Sequence, residues 1–580
     1  MSMKTGEVEV EATGLQVLSK AQAQLPFNIR AHNMPTEAIG LKHRYLQLRY
    51  PHLQRNLRLR SQVSKRISDY LQDIHGFVNV NTPTLTRHTS GGSHLFIVPY
   101  AAGSSAANVP PPANKCESVN GINAKSTFKS NSGDSRINSS SVLNISSSSS
   151  NVRNNDDSGS NSAISIESES MSKYYCLAQS PQTYKQLLMM GGLDKYYQFA
   201  VCYRDEKGTP ERQPEFMQVD LEMSDVTAEE VQRLVEGMLQ YSWPEDCNGG
   251  PTPETPFPVM TYSAAMKHYG SDKPDTRFQW LLQDAAAALQ EARCGGITAL
   301  QELISHPQGT ATAFVVPTGQ KHLSKSACES WNSLASREHG LGGVSVCHVR
   351  QDGSLKGSQL ATQLNRTGGA KQLLASLGAV PGDTVVVALG PESNVLSCMG
   401  KLRLLAAAEL EATGVFVRNK QELRFVWVVD FPLFEPGEDG SSLVSVHHPF
   451  TQPHPHDAHL LDTDPLKVRS QHYDLVCNGC EVGGGSVRIH DPEMQQRVLG
   501  ILQLPPGDLQ YFVDALAMGT PPHAGIALGF DRLVSLMCGS ESIREVIAFP
   551  KNSQGHCTMS GAPSDISREL KQRYSIKENS

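Results

Sequence analysis

The chain has 580 residues, a formal net charge of −7, 12 cysteines, and 39% hydrophobic against 19% charged residues. That length exceeds what one hydrophobic core sustains, so two or more domains are expected. The acidic balance excludes a global electrostatic case for nucleic-acid binding, and scattered cysteines argue against a secreted disulfide framework. No window reaches the roughly 18 apolar residues of a membrane span, so a soluble chain without a membrane partner is expected.

In residues 1–30, Val8 and Val10 alternate with polar residues, and Leu15, Val17 and Leu18 follow a glycine turn, which predicts two strands. Two strands cannot fold alone, so they should finish a larger sheet. Residues 42–66 carry Lys42, Arg44, Arg49, Arg55, Arg58, Arg60, Lys65 and Arg66 with no acid among them. A local nucleic-acid surface and a solvated helix face are both open readings. Apolar residues at 59, 63, 67, 70, 71 and 74 predict an amphipathic helix ended by Gly76. "FVNVNTPTLT" (77–86) reads as a strand with its proline at an edge or end.

Residues 101–172 are Ser/Asn-rich with almost no aromatic side chains, and they cannot offset their ordering entropy by burial. They read as a disordered insertion whose ends lie close together. Beyond it come a strand, a helix over 181–190, a strand, and a helix over 227–241. Residues 282–422 change character and read as an inserted domain, with helices over 279–293, 370–376 and 400–412 and a strand in "DTVVVAL". "FVWVVDFPLFE" (425–435) resumes the strand-rich style.

The chemistry concentrates in "VCYRDEKGTPERQPEFMQVDLEMS" (201–224). Strand alternation puts Gln218, Asp220 and Glu222 on one face and Met217, Val219 and Leu221 on the other. Arg204 and Glu206 share a face of the preceding strand, and Lys185 follows a nearby turn. Later, "YDLVCNGCEVGGGSVRIHD" supplies Asp474, Glu481 and Arg488, and "GIALGFDRL" supplies Arg532. Arginines with two carboxylates able to hold a divalent cation suggest a polyphosphate site, because guanidinium matches phosphate and Mg²⁺ prefers carboxylate plus phosphate oxygens. Cross-strand salt bridges on a solvated sheet remain the alternative for Arg204, Glu206, Asp220 and Glu222. Cys477-x-x-Cys480 reads as strand cysteines more readily than as half a zinc site. His447 and His448 could equally be core histidines.

In order along the chain, "GFVNVNTPTL" (76–85), "YRDEKGTPERQPEF" (203–216) and "GIALGFDRL" (525–533) resemble motifs 1, 2 and 3 of class II aminoacyl-tRNA synthetases. "QSPQTYKQLLMMGGLDKYYQ", "YGSDKPDTRF", "HHPFTQP" and "NGCEVGGGSVRIHD" are similar to the bacterial and organellar aspartyl-tRNA synthetases. The resemblance implies an α+β fold: an antiparallel sheet of six or seven strands flanked by helices, covering 31–100, 173–281 and 423–580. It further implies a GAD-type α+β domain at 282–422 and the C-terminal remnant of an anticodon-binding OB-fold at 1–30. The implied reaction is activation of L-aspartate by ATP, with Mg²⁺, and transfer to tRNA-Asp by a homodimer formed through motif 1.

Carried over by position, the resemblance makes Arg204 and Arg532 catalytic. It assigns Arg204, Asp205, Glu206, Gln213, Glu481, Gly529, Phe530, Asp531 and Arg532 to ATP, with Glu206 on the adenine and Arg532 at the γ-phosphate. Gln182, Lys185, Arg204, Gln218, Asp220, His447, His448 and Arg488 would bind aspartate, and Asp474 and Glu481 would hold Mg²⁺. Lys185 and Arg488 would reject asparagine because it would leave them buried without a counter-charge.

Gly91 stands where bacterial members commonly place a glutamate, and the Gly-Gly form resembles mitochondrial members. An organellar matrix, mitochondrial or plastid, is therefore expected, with the cytoplasm as the alternative. The partial OB-fold predicts weakened anticodon reading. It also keeps open a non-charging paralogue with an RNA-binding or regulatory role.

Overall fold

The computed structural model describes residues 9–30, 34–88, 94–100, 173–206, 208–245, 249–291, 309–416, 418–419, 421–574 and 576. Gly91 and the Ser/Asn-rich stretch 101–172 lie outside the described residues. The chain forms two units, Met1–Val98 with Tyr175–Asp565 and Pro99–Tyr174 with Ile566–Ser580. In the smaller unit, Arg568–Arg573 is a short helix whose N-cap Ser567 Oγ accepts from the Leu570 N–H.

The larger unit is built on an eight-stranded sheet. Its strands are β1 (Val78–Asn79), β2 (Lys195–Tyr203), β3 (Glu215–Ser224), β4 (Val259–Thr261), β5 (Phe425–Val429), β6 (His472–Cys477), β7 (Cys480–Val487) and β8 (His523–Gly529). The order across the sheet is β1-β2-β3-β8-β7-β6-β5-β4. The six central strands pair antiparallel, whereas β1 and β4 add short parallel edges. The sheet is thus one strand wider than the widest expected, because both edges recruit connecting segments.

One face of this sheet is apolar, and helices cover it. Helix α1 (Pro51–Asp69) starts with proline at its first position, where the missing N–H costs nothing, and buries Leu53, Leu59, Val63 and Ile67. Helix α2 (Gln182–Met190) lies instead on the polar side, where its Lys185 reaches Asp220 and Glu222. Helix α3 (Ala228–Ser242) carries a capping box in which Thr227 Oγ1 accepts from the Glu230 N–H and Glu230 accepts from the Thr227 N–H. Helix α4 (Phe530–Cys538) follows β8 directly. Leu59, Val63, Val219, Leu221, Val235, Leu475, Ile526 and Leu533 share one core between sheet and helices.

In the basic stretch at 42–66, Lys42, Arg49, Arg55, Arg58 and Lys65 are exposed, whereas Arg44, Arg60 and Arg66 turn inward and hold the fold together. Arg44 is buried and donates to the carbonyls of Arg544, Ile547 and Ala548. Arg60 pairs with Asp531 at 2.5 Å, and Arg66 donates to the Trp243 carbonyl at 2.9 Å.

Between β4 and β5 stands a second, five-stranded antiparallel sheet, in the order 355–356, 344–349, 384–391, 309–316 and 283–284. Its strands alternate into two apolar cores: Ala311, Ala313, Val385 and Val387 point to one, Phe314, Val316, Val386 and Ala388 to the other. The helix expected over 279–293 is corrected here. Gln283–Asp284 is an edge strand and, among the described residues of that stretch, the helix is confined to Ala286–Glu291, because the apolar alternation of the paired strand captures the segment.

The two strands expected in 1–30 do not form among the described residues 9–29. Val10, Leu15 and Leu18 are 86%, 94% and 89% exposed, so the alternation has no partner sheet to bury it. The Leu177 N–H donates to the Phe96 carbonyl at 3.0 Å, so the strands bracketing 101–172 run side by side. Among the described residues, no helix is long and apolar enough to cross a membrane.

Candidate active site

The second face of the main sheet is polar and opens into a cleft of about 750 Å³. Strand β3 shows how the sequence builds it. Val219 and Leu221 enter the core, and the alternate residues Gln218, Asp220 and Glu222 point to the cleft face, all three buried. Strand β8 lies directly alongside, and Gly525 pairs with Glu222. A Cβ at Gly525 would collide with the Glu222 carboxylate, so the glycine makes the seat for that charge.

Under the cleft floor lie two cations and two carboxylates. Lys185 Nζ, from α2, is 3.0 Å from Asp220 Oδ1 and 3.4 Å from Glu222 Oε2. Arg488, just after β7, forms a fork on the same Glu222 at 2.9 and 3.2 Å. Its Nη1 donates to Ser486 Oγ at 2.6 Å and to His448 Nε2 at 2.5 Å. Burial is the largest influence on Asp220 and raises its pKa despite Lys185. Burial also pulls Glu222 upward, but Arg488 and Lys185 outweigh it and hold the carboxyl below its ordinary range. The cross-strand charges at Asp220 and Glu222 are therefore a buried network, not a solvated face.

This arrangement corrects the expected basis of specificity. Lys185 and Arg488 already have internal counter-charges, so an uncharged ligand would not strand them. What they offer a ligand is donor capacity, since neither group can accept a hydrogen bond. Two further buried polar atoms on the cleft wall, Gln182 Nε2 and Asp220 Oδ2, have no hydrogen-bond partner among the described residues.

Three histidines form the adjoining wall. The His447 and His472 rings stack at 4.1 Å with an interplanar angle of 1°, and His448 lies 4.1 Å from His447. Burial, reinforced by neighbouring imidazoles and by Arg488 and Lys185, drives His447 and His448 well below the usual histidine pKa. Both are neutral at pH 7, which lets His448 accept from Arg488.

Towards the mouth, the Arg204 guanidinium sits 5.2 Å over the Phe216 ring, on the cleft side. Across from it, Asp474 on β6 and Glu481 on β7 line one wall. Asp474 Oδ1 bonds His472 Nε2 at 2.7 Å, and Glu481 Oε2 lies 3.4 Å from Lys273 Nζ. Burial opposes the charge on Lys273, but Glu481, Asp272 and Asp474 outweigh it and raise its pKa. Gly484 faces the same wall, and a Cβ there would strike the Asp474 carboxylate. No cluster of three or more His, Cys, Asp or Glu able to hold a metal occurs among the described residues. Two carboxylates on adjacent strands still fit Mg²⁺, which takes one or two carboxylates and completes its shell with water and substrate phosphate.

The structure brings together Gln182, Arg204, Gln218, Asp220, His447, His448, Asp474 and Glu481 on the cleft lining, with Lys185 and Arg488 directly beneath. The remaining residues expected at the nucleotide do not line this cleft directly and make other contacts. The Gln213 side chain is buried and clamps the Lys551 backbone, donating to its carbonyl at 3.1 Å and accepting from its N–H at 2.7 Å. Asp531 ties α1 to β3, accepting from Arg60 and from the Met217 N–H at 2.8 Å. Phe530 is buried in the core, and Gly529 caps α4. Asp205 is exposed, and Glu206 accepts from Arg212 at 3.1 Å outside the lining. Arg532 donates to the Glu481 carbonyl and borders a smaller hollow with Glu211 and Cys480.

Sequence reasoning put Glu222 on the polar strand face without assigning it to a ligand, and gave no role to Ser486, His472, Asp272 or Lys273. The strand alternation that exposes Asp220 to the cleft does the same for Glu222, so that signal was present. The "SDKPD" segment carried no periodicity from which Lys273 could be placed.

The family model for class II tRNA synthetases of the D, K and N type matches residues 36–107 and 157–553. The human mitochondrial aspartate–tRNA ligase is 39% identical over 577 residues, covering 99% of this chain and 77% of the relative. The aspartate–tRNA(Asp/Asn) ligase of Salinibacter ruber is 35% identical over 583 residues, covering 99% and 80%. A solved Entamoeba histolytica asparaginyl-tRNA synthetase with asparaginyl-adenylate aligns at TM-score 0.44 and 14% identity, over 93% of this chain and 75% of that one. With a family model spanning most of its length and relatives this similar from end to end, the chain belongs to the class II tRNA synthetases.

Proposed function

We propose that the chain is an aspartate–tRNA ligase that activates L-aspartate with ATP and transfers it to the 3′ end of tRNA-Asp. The observation that carries this reading is the buried Lys185–Asp220–Glu222–Arg488 network, set beneath a cleft whose mouth holds Arg204, Asp474 and Glu481. The names of the relatives support it.

Lys185 and Arg488 are donors only, so they suit a carboxylate, whereas the NH₂ of asparagine would turn donors against donors. Asp220 Oδ2 is free to accept from the substrate ammonium, with Gln218 beside it, and Gln182 Nε2 is free to donate. His447 and His448, held neutral, close the wall without adding charge. The α-carboxylate of aspartate attacks the α-phosphorus of ATP, a P–O bond forms, and pyrophosphate leaves. Arg204, steadied on Phe216, faces the phosphoryl oxygens where negative charge gathers. The 3′-hydroxyl of the tRNA then attacks the acyl carbon and AMP departs. Asp474 and Glu481 are the residues to hold Mg²⁺, and a bound Mg²⁺ supplies neutralisation of the phosphate charge. No side chain acts as a nucleophile, so positioning carries the rate.

Exposed Val78 and Leu85 on the motif 1 segment are apolar surface through which a homodimer would pair. Mitochondrial relatives support an organellar matrix as the site of action.

The test is ATP–pyrophosphate exchange run with aspartate and with asparagine, beside aminoacylation of tRNA-Asp. Exchange is expected with aspartate alone, and Arg204→Ala should lower it by about 10²–10³-fold at unchanged Tm. Exchange supported by asparagine and not aspartate would overturn the assignment.

A further inference from the structure

The segment 271–280 runs from the cleft to the inserted sheet. Its Lys273 is the cation paired with the Glu481 side chain, at 3.4 Å, and it also lies 3.3 Å from Asp272 Oδ2. Asp474 shares the wall. Resting on the reading of Asp474 and Glu481 as the Mg²⁺ carboxylates, we propose that Lys273 is their built-in counter-cation. It neutralises Glu481 until a divalent ion arrives with ATP, yields that carboxylate to the ion, and swings its ammonium to the ATP phosphates.

The physical case has three parts. Asp474 and Glu481 stand on adjacent antiparallel strands and line one wall, so a cation held at Glu481 lowers the cost of keeping two like charges ready. A divalent ion and an ammonium compete for the same oxygens, and the released ammonium, a compact charge on a flexible stem, is a phosphate binder in its own right. Lys273 is 37% exposed, so its tip can swing without opening the core.

The backbone beneath it is fixed, which confines the exchange to the side chain. The Lys273 N–H donates to Ser271 Oγ at 3.0 Å, and Asp275 is forked by Arg277 at 2.9 and 2.7 Å. Arg403, on the inserted domain's helix Glu392–Ala412, donates to the carbonyls of Trp280, Phe278 and Asp275 at 2.7, 2.8 and 3.0 Å. The inserted domain thereby anchors the segment that aims Lys273 at the cleft, which makes Lys273 a positioning residue until ATP binds.

The experiment is Mn²⁺ titration of the full chain without ATP, followed by electron paramagnetic resonance. Wild type, Lys273→Met, Lys273→Arg, Asp474→Asn and Glu481→Gln are compared. Lys273→Met should bind Mn²⁺ about fivefold or more tighter, the fold-change expected when one like charge is removed from about 4 Å in a solvated setting. The same variant should raise the KM for ATP in exchange, and Lys273→Arg should restore it. Equal Mn²⁺ affinity in Lys273→Met and wild type would overturn the proposal. If Asp474→Asn and Glu481→Gln bind Mn²⁺ as wild type does, the metal sits elsewhere, and the underlying reading fails together with the proposal.

Discussion

The two sheets of the larger unit are both antiparallel at heart, yet they treat their faces in opposite ways. The inserted sheet sends alternate residues of each strand into two apolar cores, so Val385 and Val387 enter one and Val386 and Ala388 the other. The main sheet gives one face to a core and leaves the buried amide of Gln218 and the buried carboxyl groups of Asp220, Glu222 and Asp474 on the other. Burying charge costs several kcal/mol per ion unless each is paired, so a fold seeking only stability would use the first solution. The main sheet keeps the second, and its polar face carries the cleft proposed as the site of the reaction.

The largest break in this contrast is Glu222→Gln. It leaves Lys185 and Arg488 sharing Asp220 alone in a buried setting, and a loss of about 3–5 kcal/mol is expected by denaturant unfolding. Aspartate-dependent exchange should vanish with it. Retained exchange at wild-type rate would mean that Glu222 is no part of the substrate floor.

Leu373→Ala makes the complementary cut. Leu373 is fully buried in one core of the inserted sheet, so about 2–5 kcal/mol of stability should be lost to the cavity. Exchange per folded molecule should stay unchanged, which active-site titration beside a melting curve would check. A fall in turnover without a fall in Tm would break the division of labour between the sheets.

The smallest effect is in pH. His447 and His448 have folded pKa values below 6.5, so the unfolded chain binds protons that the folded chain refuses. Their stability contribution is therefore complete above about pH 6.5 and is lost as pH falls beneath it, by about 1.4 kcal/mol per pH unit for each imidazole. Denaturant midpoints between pH 7 and 5.5 should fall less steeply in the His447→Asn/His448→Asn variant. An unchanged slope would mean that the two rings are not held neutral.

Much of this was legible in the chain. The alternation of "FMQVDLEM" placed Asp220 opposite Val219 and Leu221, and ordered motifs located Lys185, Arg204, Asp474, Glu481 and Arg488 around one site. Local signals also set the helices, though unevenly: α3 begins within a residue of its expected start, whereas α1 begins at Pro51, well ahead of the apolar positions from 59 that announced it. What the chain did not show shares a cause. Gln213 and Asp531 were placed at the nucleotide by motif, but their partners are the Lys551 backbone and Arg60, hundreds of residues away in the chain. Residues 1–30 carried a strand pattern, but among the described residues 9–29 no strand pairing forms, and a strand without its neighbour is not stable.

By itself, then, the sequence determined which residues face away from a core and which chemistry they carry, because side-chain period and residue type are local properties. Only the tertiary structure decided that Glu222 receives both Lys185 and Arg488, that those cations arrive already compensated, and that Arg403 of the inserted domain holds the segment bearing Lys273. Such pairings join residues up to 266 positions apart in hydrogen-bonded or ionic contact across different strands and helices, and no local pattern encodes which distant charge will be the neighbour.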